Sequence, residues 1–420
     1  MSVAPVTQPL HVVIVGGGIA ALEAVLALHD LAGQRIDITL IAPEPDFVLR
    51  PLAVVAPFAR GRLDRLPLEQ VMREHDGRFV RSAVSRVEAG ARRLKLVTGA
   101  ELTYDVLVLA HGASEVPALP RALTFGEHEA AYSGLLADID EGYSRSVAFV
   151  VPDGVTWPLP LYELALMTAE EAWSMNMDRV DLHLVTPELT PLAVFGPEAS
   201  DVVGALLEAA RITVHCGVRA RMSSRGDVEI GGGEDIAVDR VVALPVLEGR
   251  RLTGVPADAL GFIAVDDAGQ VDGLDEMYAI GDATNRPIKQ GGLACQQADV
   301  ASAHIAARAG AEIVVPPLEQ VLRGRLLTGG RDRFLQRHSA EVAGRTSAEP
   351  LWWPPAKVSG KYLSPYLAAK DLVHLPAHSG PPVPGVDVEV PVALRRSVPG
   401  GVVKGASLRP ITRRHAGLRA

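Results

Sequence analysis

Two kinds of hydrophobic pattern alternate along the chain. Val12–Val15 is a short, unbroken apolar run that ends in Gly16-Gly17-Gly18. A helical pattern follows from Ile19 to about Leu31, and Ile36–Ile41 is apolar again. An unbroken run of this length suits a strand buried on both faces, and glycine followed by helical periodicity marks a strand–turn–helix–strand unit. Phe79–Val87 and Arg93–Val97 read as shorter strands of an inserted sheet, and Val106–Ala110 as a buried strand ending at His111-Gly112. The pattern then restarts. Ser146–Val151, Val180–Val185, Thr213–Cys216 and Val241–Leu244 are predicted strands, with helices over Leu161–Trp173 and Val202–Ala210. Met277–Ile280 is a further strand leading into Gly281-Asp282, and Gly291–Arg308 is alanine-rich and helical.

Such a restart predicts α/β layers built twice. Residues 10–113 and 261–315 are expected to form one discontinuous domain, with 114–260 inserted as a second. Residues 316–375 make a C-terminal region and 376–420 a Pro/Gly-rich basic tail. Within the tail, Pro391–Ala420 holds seven Lys/Arg and no acid, the pattern of a solvated, poorly ordered segment.

Composition narrows the function classes. The chain has 420 residues, too many for one ordinary core, with 48% hydrophobic and 22% charged residues. Its formal net charge of −9 argues against a nucleic-acid partner. Two cysteines, Cys216 and Cys295, make neither a disulfide framework nor a CxxC pair, which points to a reducing compartment. There is no basic n-region at the N-terminus and no apolar run of roughly 18 residues or more, so a cytoplasmic protein without an integral membrane segment is expected. No metal-ligand spacing stands out, and a homo-oligomer is compatible with everything above.

Gly16-x-Gly18-x-x-Ala21 lies between a strand and a helix, where the motif carries a mechanism. The first glycine permits the tight turn and the second lets a pyrophosphate approach the backbone. Ala21 allows close helix–strand packing, and the N–H groups at Ile19 and Ala20 face the anion. An acid should follow the second strand to hold a ribose; Glu44 is the candidate, with Asp46 in reserve.

Together with this turn, Tyr104–Ala113 (YDVLVLAHGA) and Met277–Ala283 (MYAIGDA) resemble the three FAD signatures of the two-dinucleotide-binding-domain flavoproteins, the pyridine nucleotide–disulfide oxidoreductase relatives. The resemblance runs from about Leu10 to Leu367. It implies an α/β fold of glutathione-reductase type: two Rossmann-like, three-layer dinucleotide-binding domains plus a C-terminal region. FAD is the implied cofactor. Val84, Ala110, His111, Gly112 and Gly281 are implied to line it, and Asp282 to bind its ribitol. His111 stands where these relatives usually carry Thr.

Within the group the chain is most similar to sulfide:quinone oxidoreductase-like proteins, through Phe47–Leu52, Trp157–Leu164 and Lys289–Ala294. This implies that Arg50 and Pro51 approach the isoalloxazine and that Gln290, Gly291 and Gly292 present backbone N–H groups to its pyrimidine edge. Glu163 matches the glutamate that relatives hold near the flavin, where a partly buried carboxylate can relay protons to a quinone. Its other reading is a helix-terminal acid stabilised by the dipole. Trp157 stands near where such relatives carry a catalytic cysteine. Cys295, one turn into the helix after Gly291-Gly292, is the remaining thiol candidate for facing the flavin, though it lacks a resolving partner.

The second α/β unit has one glycine in its strand-to-helix loop, Pro152–Pro160, along with Asp153, Pro158 and Pro160. That loop disfavours a nicotinamide dinucleotide, although Glu188 could hold a ribose. Aromatics in Leu351–Lys357 and Lys361–Leu367 suit either a lid over a flat ring or core packing. The expectation is an FAD-dependent oxidoreductase passing electrons from a small reductant to a quinone-like acceptor. Its rivals are an NAD(P)H-dependent reductase and a flavin-binding protein that has lost catalysis.

Overall fold

The computed structural model describes residues 8–373 apart from 59–62, 127–128, 178, 224–225, 231–233 and 340–341. The predicted basic tail lies outside the described residues.

The first apolar runs form the centre of a six-stranded sheet. Its order is Gln270–Val271, Leu274–Ala279, Val106–Leu109, Leu10–Val15, Ile36–Ala42, Arg78–Arg81, parallel throughout except for Gln270–Val271. Alternation along Leu10–Val15 sends Val12 and Ile14 to one face and Val13 and Val15 to the other. The first face is covered by helices Ile19–Ala32 and Gly291–Arg308, which pack against each other. The second is covered by an antiparallel sheet of Val84–Glu88, Arg93–Leu96 and Glu101–Thr103, through Val87, Leu94 and Leu96. Helix Ile19–Ala32 is therefore buried nearly all round. Full burial of side chains such as Leu22, Val25 and Leu28 contributes about 1.5–3 kcal/mol each.

Phe79–Val87 is not a single strand of an inserted sheet. Arg78–Arg81 pairs with Ile36–Ala42 at the edge of the parallel sheet, and only Val84–Glu88 joins the antiparallel layer. The break falls at Ser82-Ala83, where Ser82 N still donates to Ala42 O at 3.0 Å before the chain turns away.

The second unit repeats the plan. Leu123–Thr124, Arg240–Ala243, Ser146–Val150, Asp181–Val185 and Ile212–His215 form a parallel five-stranded sheet. Helices Leu159–Ser174 and Pro197–Ala209 pack on it through Leu161, Leu164, Val203 and Leu207. Val228, Ile230 and Ile236 of a small antiparallel sheet close the opposite face. Between the units, Ala113–Val116 pairs antiparallel with Val246–Gly249. The fold is thus two Rossmann-like α/β units in one chain.

The C-terminal region touches both. Leu322, Leu326 and Leu335 belong to the second unit's core; Val358, Leu363 and Tyr366 belong to the first unit's. Its sheet joins Leu322–Leu326, Arg333–Arg337 and Arg345–Ser347, and a short helix, Leu363–Ala368, ends the described chain. No helix among the described residues is long and apolar enough to cross a membrane.

Candidate functional site

Three glycine-marked positions converge. Gly16 adopts φ +126°, and a Cβ there would lie 2.2 Å from Ala110 O and 3.0 Å from His111 N. Backbone from the Val106–Leu109 strand end therefore packs directly onto the first turn. Gly281 faces Ala20, and Gly291 faces Ile19, each neighbour lying 3.0 Å from where a Cβ would be. Helix Ile19–Ala32 starts at Gly18 with no side-chain cap, leaving its first N–H groups for a ligand. Nothing lies within 4 Å of a Cβ placed on Gly18, so the turn is open on that side.

Asp282 follows Gly281 at this junction. Among the described residues no hydrogen bond reaches its carboxylate. Burial raises its pKa, opposed by nearby Lys289 and assisted by Glu115. A secluded carboxylate with spare acceptor capacity fits the hydroxyl groups of a ribitol chain, and the open turn fits a pyrophosphate. Lys289 donates to Thr284 O and lies 3.8 Å above the Phe262 ring. Burial depresses its pKa to about 8, against the pull of Asp282 and Asp258. The turn's sequence gave no hint of Lys289 beside Asp282.

His111 is a second secluded group. Nε2 donates to Arg250 O at 3.1 Å, and the buried Nδ1 has no partner among the described residues. Burial lowers its pKa, which favours a neutral ring with an unused acceptor. Gly112 follows it with φ +70°.

The remaining cofactor candidates lie on other elements of the chain. Glu44 is exposed just past Ile36–Ala42, and Asp46 pairs with Arg65 at 3.8 Å. Arg50, exposed, and Pro51, half-buried, open the 3-10 stretch Arg50–Phe58, whose Val54 and Phe58 reach the second unit's core. Val84 is half-buried opposite Leu96. Gln290 is committed to the fold through its side chain. Oε1 accepts from Leu293 N at 2.7 Å, capping helix Gly291–Arg308, and Nε2 donates to Arg323 O at 3.0 Å. Gln297, one further side chain of that helix, accepts from Gly281 N at 2.8 Å and ties the two glycine-marked segments together.

Cys295 lies inside helix Gly291–Arg308. It is 0% exposed, in the seam between the two long helices, against Glu23 and Gly360. Burial and the neighbouring Glu23 and Asp299 carboxyls hold its thiol well above the usual range, which disfavours a thiolate. Cys216 is half-buried, and burial raises its pKa too.

Glu163 is also fully buried, on helix Leu159–Ser174. Its Oε1 accepts from Leu327 N at 2.8 Å and from Lys357 Nζ; its Oε2 is buried with no partner among the described residues. Lys357 also donates to Arg325 O at 2.7 Å, and Arg325 pairs with Asp332 at 2.8 Å in near-complete burial. Burial pushes Glu163 up and Lys357 down, each opposed by the other's charge. Both shifts move the pair toward its neutral form. Sequence reasoning quoted Lys357 only as the end of an aromatic run. Of those aromatics, Trp352 is core: it packs edge-on to Phe334 at 5.0 Å and donates to Ala356 O.

In the second unit, helix Leu159–Ser174 starts at Pro158 with Pro160 in its first turn and no side-chain cap. Exposed Asp153 pairs with Arg219 at 3.3 Å, and Trp157 packs on Phe195. Oε2 of Glu188 accepts from Tyr162 Oη at 2.7 Å and from Thr186 Oγ1 at 3.1 Å, which ties one carboxylate oxygen into the unit.

Comparison with known proteins agrees with this geometry. The family model described as pyridine nucleotide-disulphide oxidoreductase matches residues 10–142 and 163–310. NADH dehydrogenase-like proteins of Mycobacterium tuberculosis are 30% identical over 293 residues, covering 65% of this chain and 72% of theirs. The sulfide:quinone oxidoreductase of Aquifex aeolicus has the same fold with a TM-score of 0.72 at 19% identity, over 80% of this chain and 86% of that one. A ferredoxin reductase of Rhodopseudomonas palustris matches with a TM-score of 0.59 at 20% identity, over 79% and 83%. The chain belongs to the pyridine nucleotide-disulphide oxidoreductase family and is an FAD-dependent oxidoreductase.

Proposed function

We propose that this enzyme passes electrons from a small reductant to a quinone-like acceptor, with Glu163 and Lys357 supplying the protons that the acceptor takes up. Bound FAD supplies the two-electron redox chemistry. Gly16, Gly18 and the N–H groups at Ile19, Ala20 and Ala21 would hold the pyrophosphate, and Asp282 the ribitol. Glu44 would hold the ribose. Val84, Ala110, His111 and Gly112 would line the cofactor, with Arg50, Pro51 and the head of helix Gly291–Arg308 toward its ring system.

The observation that carries the reading is the buried Glu163–Lys357 pair. Isolating two opposite charges from water costs several kcal/mol per ion, and hydrophobic residues of similar size would do the structural work as well. A carboxyl raised and an amine lowered by burial, with one carboxylate oxygen left over, is instead a group set to exchange a proton. The pair sits where the second unit's helix meets the C-terminal segment that crosses Gly291. The sulfide:quinone oxidoreductase likeness supports the acceptor class. Neither Cys295 nor Cys216 supports cysteine-based sulfur transfer.

Glu163→Gln tests the relay. Dithionite-reduced, flavin-loaded enzyme is mixed anaerobically with decylubiquinone and flavin reoxidation is followed by stopped flow. The substitution should slow reoxidation on the order of 10²-fold while flavin content holds. Reoxidation of Glu163→Gln at the wild-type rate would remove the relay.

A second reading, NADH as the donor, is favoured by the NADH dehydrogenase-like relatives at 30% identity. The Pro-bearing loop weighs against it, and anaerobic flavin bleaching by NADH or by sulfide separates the two.

A further inference from the structure

Glu23 is a fully buried carboxyl that the cofactor site does not use. It sits one turn into helix Ile19–Ala32, and its two oxygens accept from Tyr362 N at 2.8 Å and Leu363 N at 2.7 Å. The chain just before those residues runs across the head of helix Gly291–Arg308. Val358 lies 3.1 Å from where a Cβ on Gly291 would be, and Ser359 O 3.5 Å from one on Gly292. Gly360 passes so close that a Cβ would stand 2.6 Å from Glu23 Oε2 and 2.9 Å from Cys295 Sγ. Ser364 closes the loop on itself, accepting from Gly360 N at 2.8 Å and donating to Val358 O at 2.7 Å. The loop is thus internally rigid and is joined to the first unit through Glu23. Its leading residue is Lys357, the partner of Glu163 on the second unit.

We propose that Glu23 is a positioning residue for the Glu163–Lys357 relay. It fixes the 358–364 loop on the glycine-turn helix and so holds the Lys357 amine at the Glu163 carboxyl, across the junction of the two units. This rests on the relay proposed above. A carboxyl group is required, because two converging N–H donors each need an acceptor oxygen; an amide offers one acceptor and sets its NH₂ against the other N–H. The surroundings keep that demand sharp. Asp299 and Cys295 face Glu23 from helix Gly291–Arg308. Tyr362, itself linked to Asp30 and lying beneath Lys361, faces it from the loop.

Two independent variants test this, with dithionite-reduced, flavin-loaded enzyme reoxidised by decylubiquinone over a series of pH values. Glu23→Gln removes one acceptor, and Gly360→Ala pushes the loop off Glu23 without altering any ionisable group. Each should slow reoxidation at least tenfold. Each should also move the pH profile toward that of Glu163→Gln, with flavin content unchanged, a shift that a general loss of stability would not produce. If Glu23→Gln fails to fold, Gly360→Ala carries the test. Slow Glu163→Gln alongside wild-type rates and pH profile in a folded Glu23 or Gly360 variant overturns this inference alone. Wild-type behaviour of Glu163→Gln overturns the relay and this inference with it.

Discussion

Gly16 and Gly18 are both glycines of one turn, yet they are glycines for different reasons. At Gly16 the backbone has φ +126° and a Cβ would stand 2.2 Å from Ala110 O, so the fold itself excludes a side chain. Strain and collision there should cost the protein on the order of 1–3 kcal/mol even before any ligand is considered. At Gly18 there is no positive φ and nothing within 4 Å, so the fold alone has no need of glycine. The ligand does, if a pyrophosphate approaches this backbone. Gly18→Ala should therefore leave the flavin-free protein within about 0.5 kcal/mol of wild type while weakening FAD binding at least ~tenfold. Gly16→Val should lose both stability and flavin. Urea unfolding of the flavin-free proteins and titration with FAD decide the matter; unchanged FAD affinity in Gly18→Ala would put the pyrophosphate elsewhere.

Helices and strands were legible in the sequence where burial on both faces left unbroken apolar runs. Val12–Val15 and Val106–Ala110 are found as strands, and Gly291–Arg308 as a helix with the same limits. Other elements were misread for identifiable reasons. Helix Pro197–Ala209 starts at a proline, favourable at N1, several residues before the apolar pattern at Val202 begins. In Leu322–Leu326, arginines alternate with apolar positions, and one of them, Arg325, is buried against Asp332, so hydropathy hid the strand. The site's acid–base partners were hidden by separation: Glu163 meets Lys357 and Glu23 meets Leu363 only after both units have folded. The last helix shows how such contacts set element stability. Tyr366 Oη and Lys370 Nζ donate to the two oxygens of Glu74, at 2.7 and 2.9 Å, with Gln70 assisting. Burial alone would raise the Glu74 pKa, but the Gln70, Lys370 and Tyr366 hydrogen bonds bring it from 4.5 to about 2. A carboxyl depressed in the fold stabilises fully above its unfolded pKa and loses that contribution as pH falls toward the folded one. The melting-temperature advantage of wild type over Glu74→Gln should hold above about pH 4.5 and shrink from there toward about pH 2. Calorimetry of both proteins from pH 6 to 3 checks it, and a constant difference over that range would contradict it.

At the scale of the whole molecule the two α/β units are alike in plan and unlike at their helix entries. The first opens with a glycine turn, an uncapped helix and, at Asp282, a carboxyl that no hydrogen bond reaches among the described residues. The second offers Pro158 and Pro160 at the start of Leu159–Ser174, so two backbone N–H groups are missing where an anion would need them. Asp153 brings negative charge to the same loop, offset only by an exposed pair with Arg219 that is worth little in water. Trp157 fills space against Phe195, and Glu188 is held by Tyr162 and Thr186. The Pro152–Pro160 loop is thus short of backbone donors and carries an acid, while the adjoining helix carries Glu163 inward to Lys357. On the reading proposed above, one unit binds a dinucleotide and the other serves proton transfer at the junction. On this view NADH and NADPH should reduce the flavin slowly or not at all, with apparent dissociation constants no better than roughly millimolar. Anaerobic stopped-flow bleaching over a range of nucleotide concentrations measures this directly. Rapid, saturable reduction at micromolar NADH would show that the Pro152–Pro160 loop does accept a pyrophosphate, and would make NADH the donor, in line with the NADH dehydrogenase-like relatives.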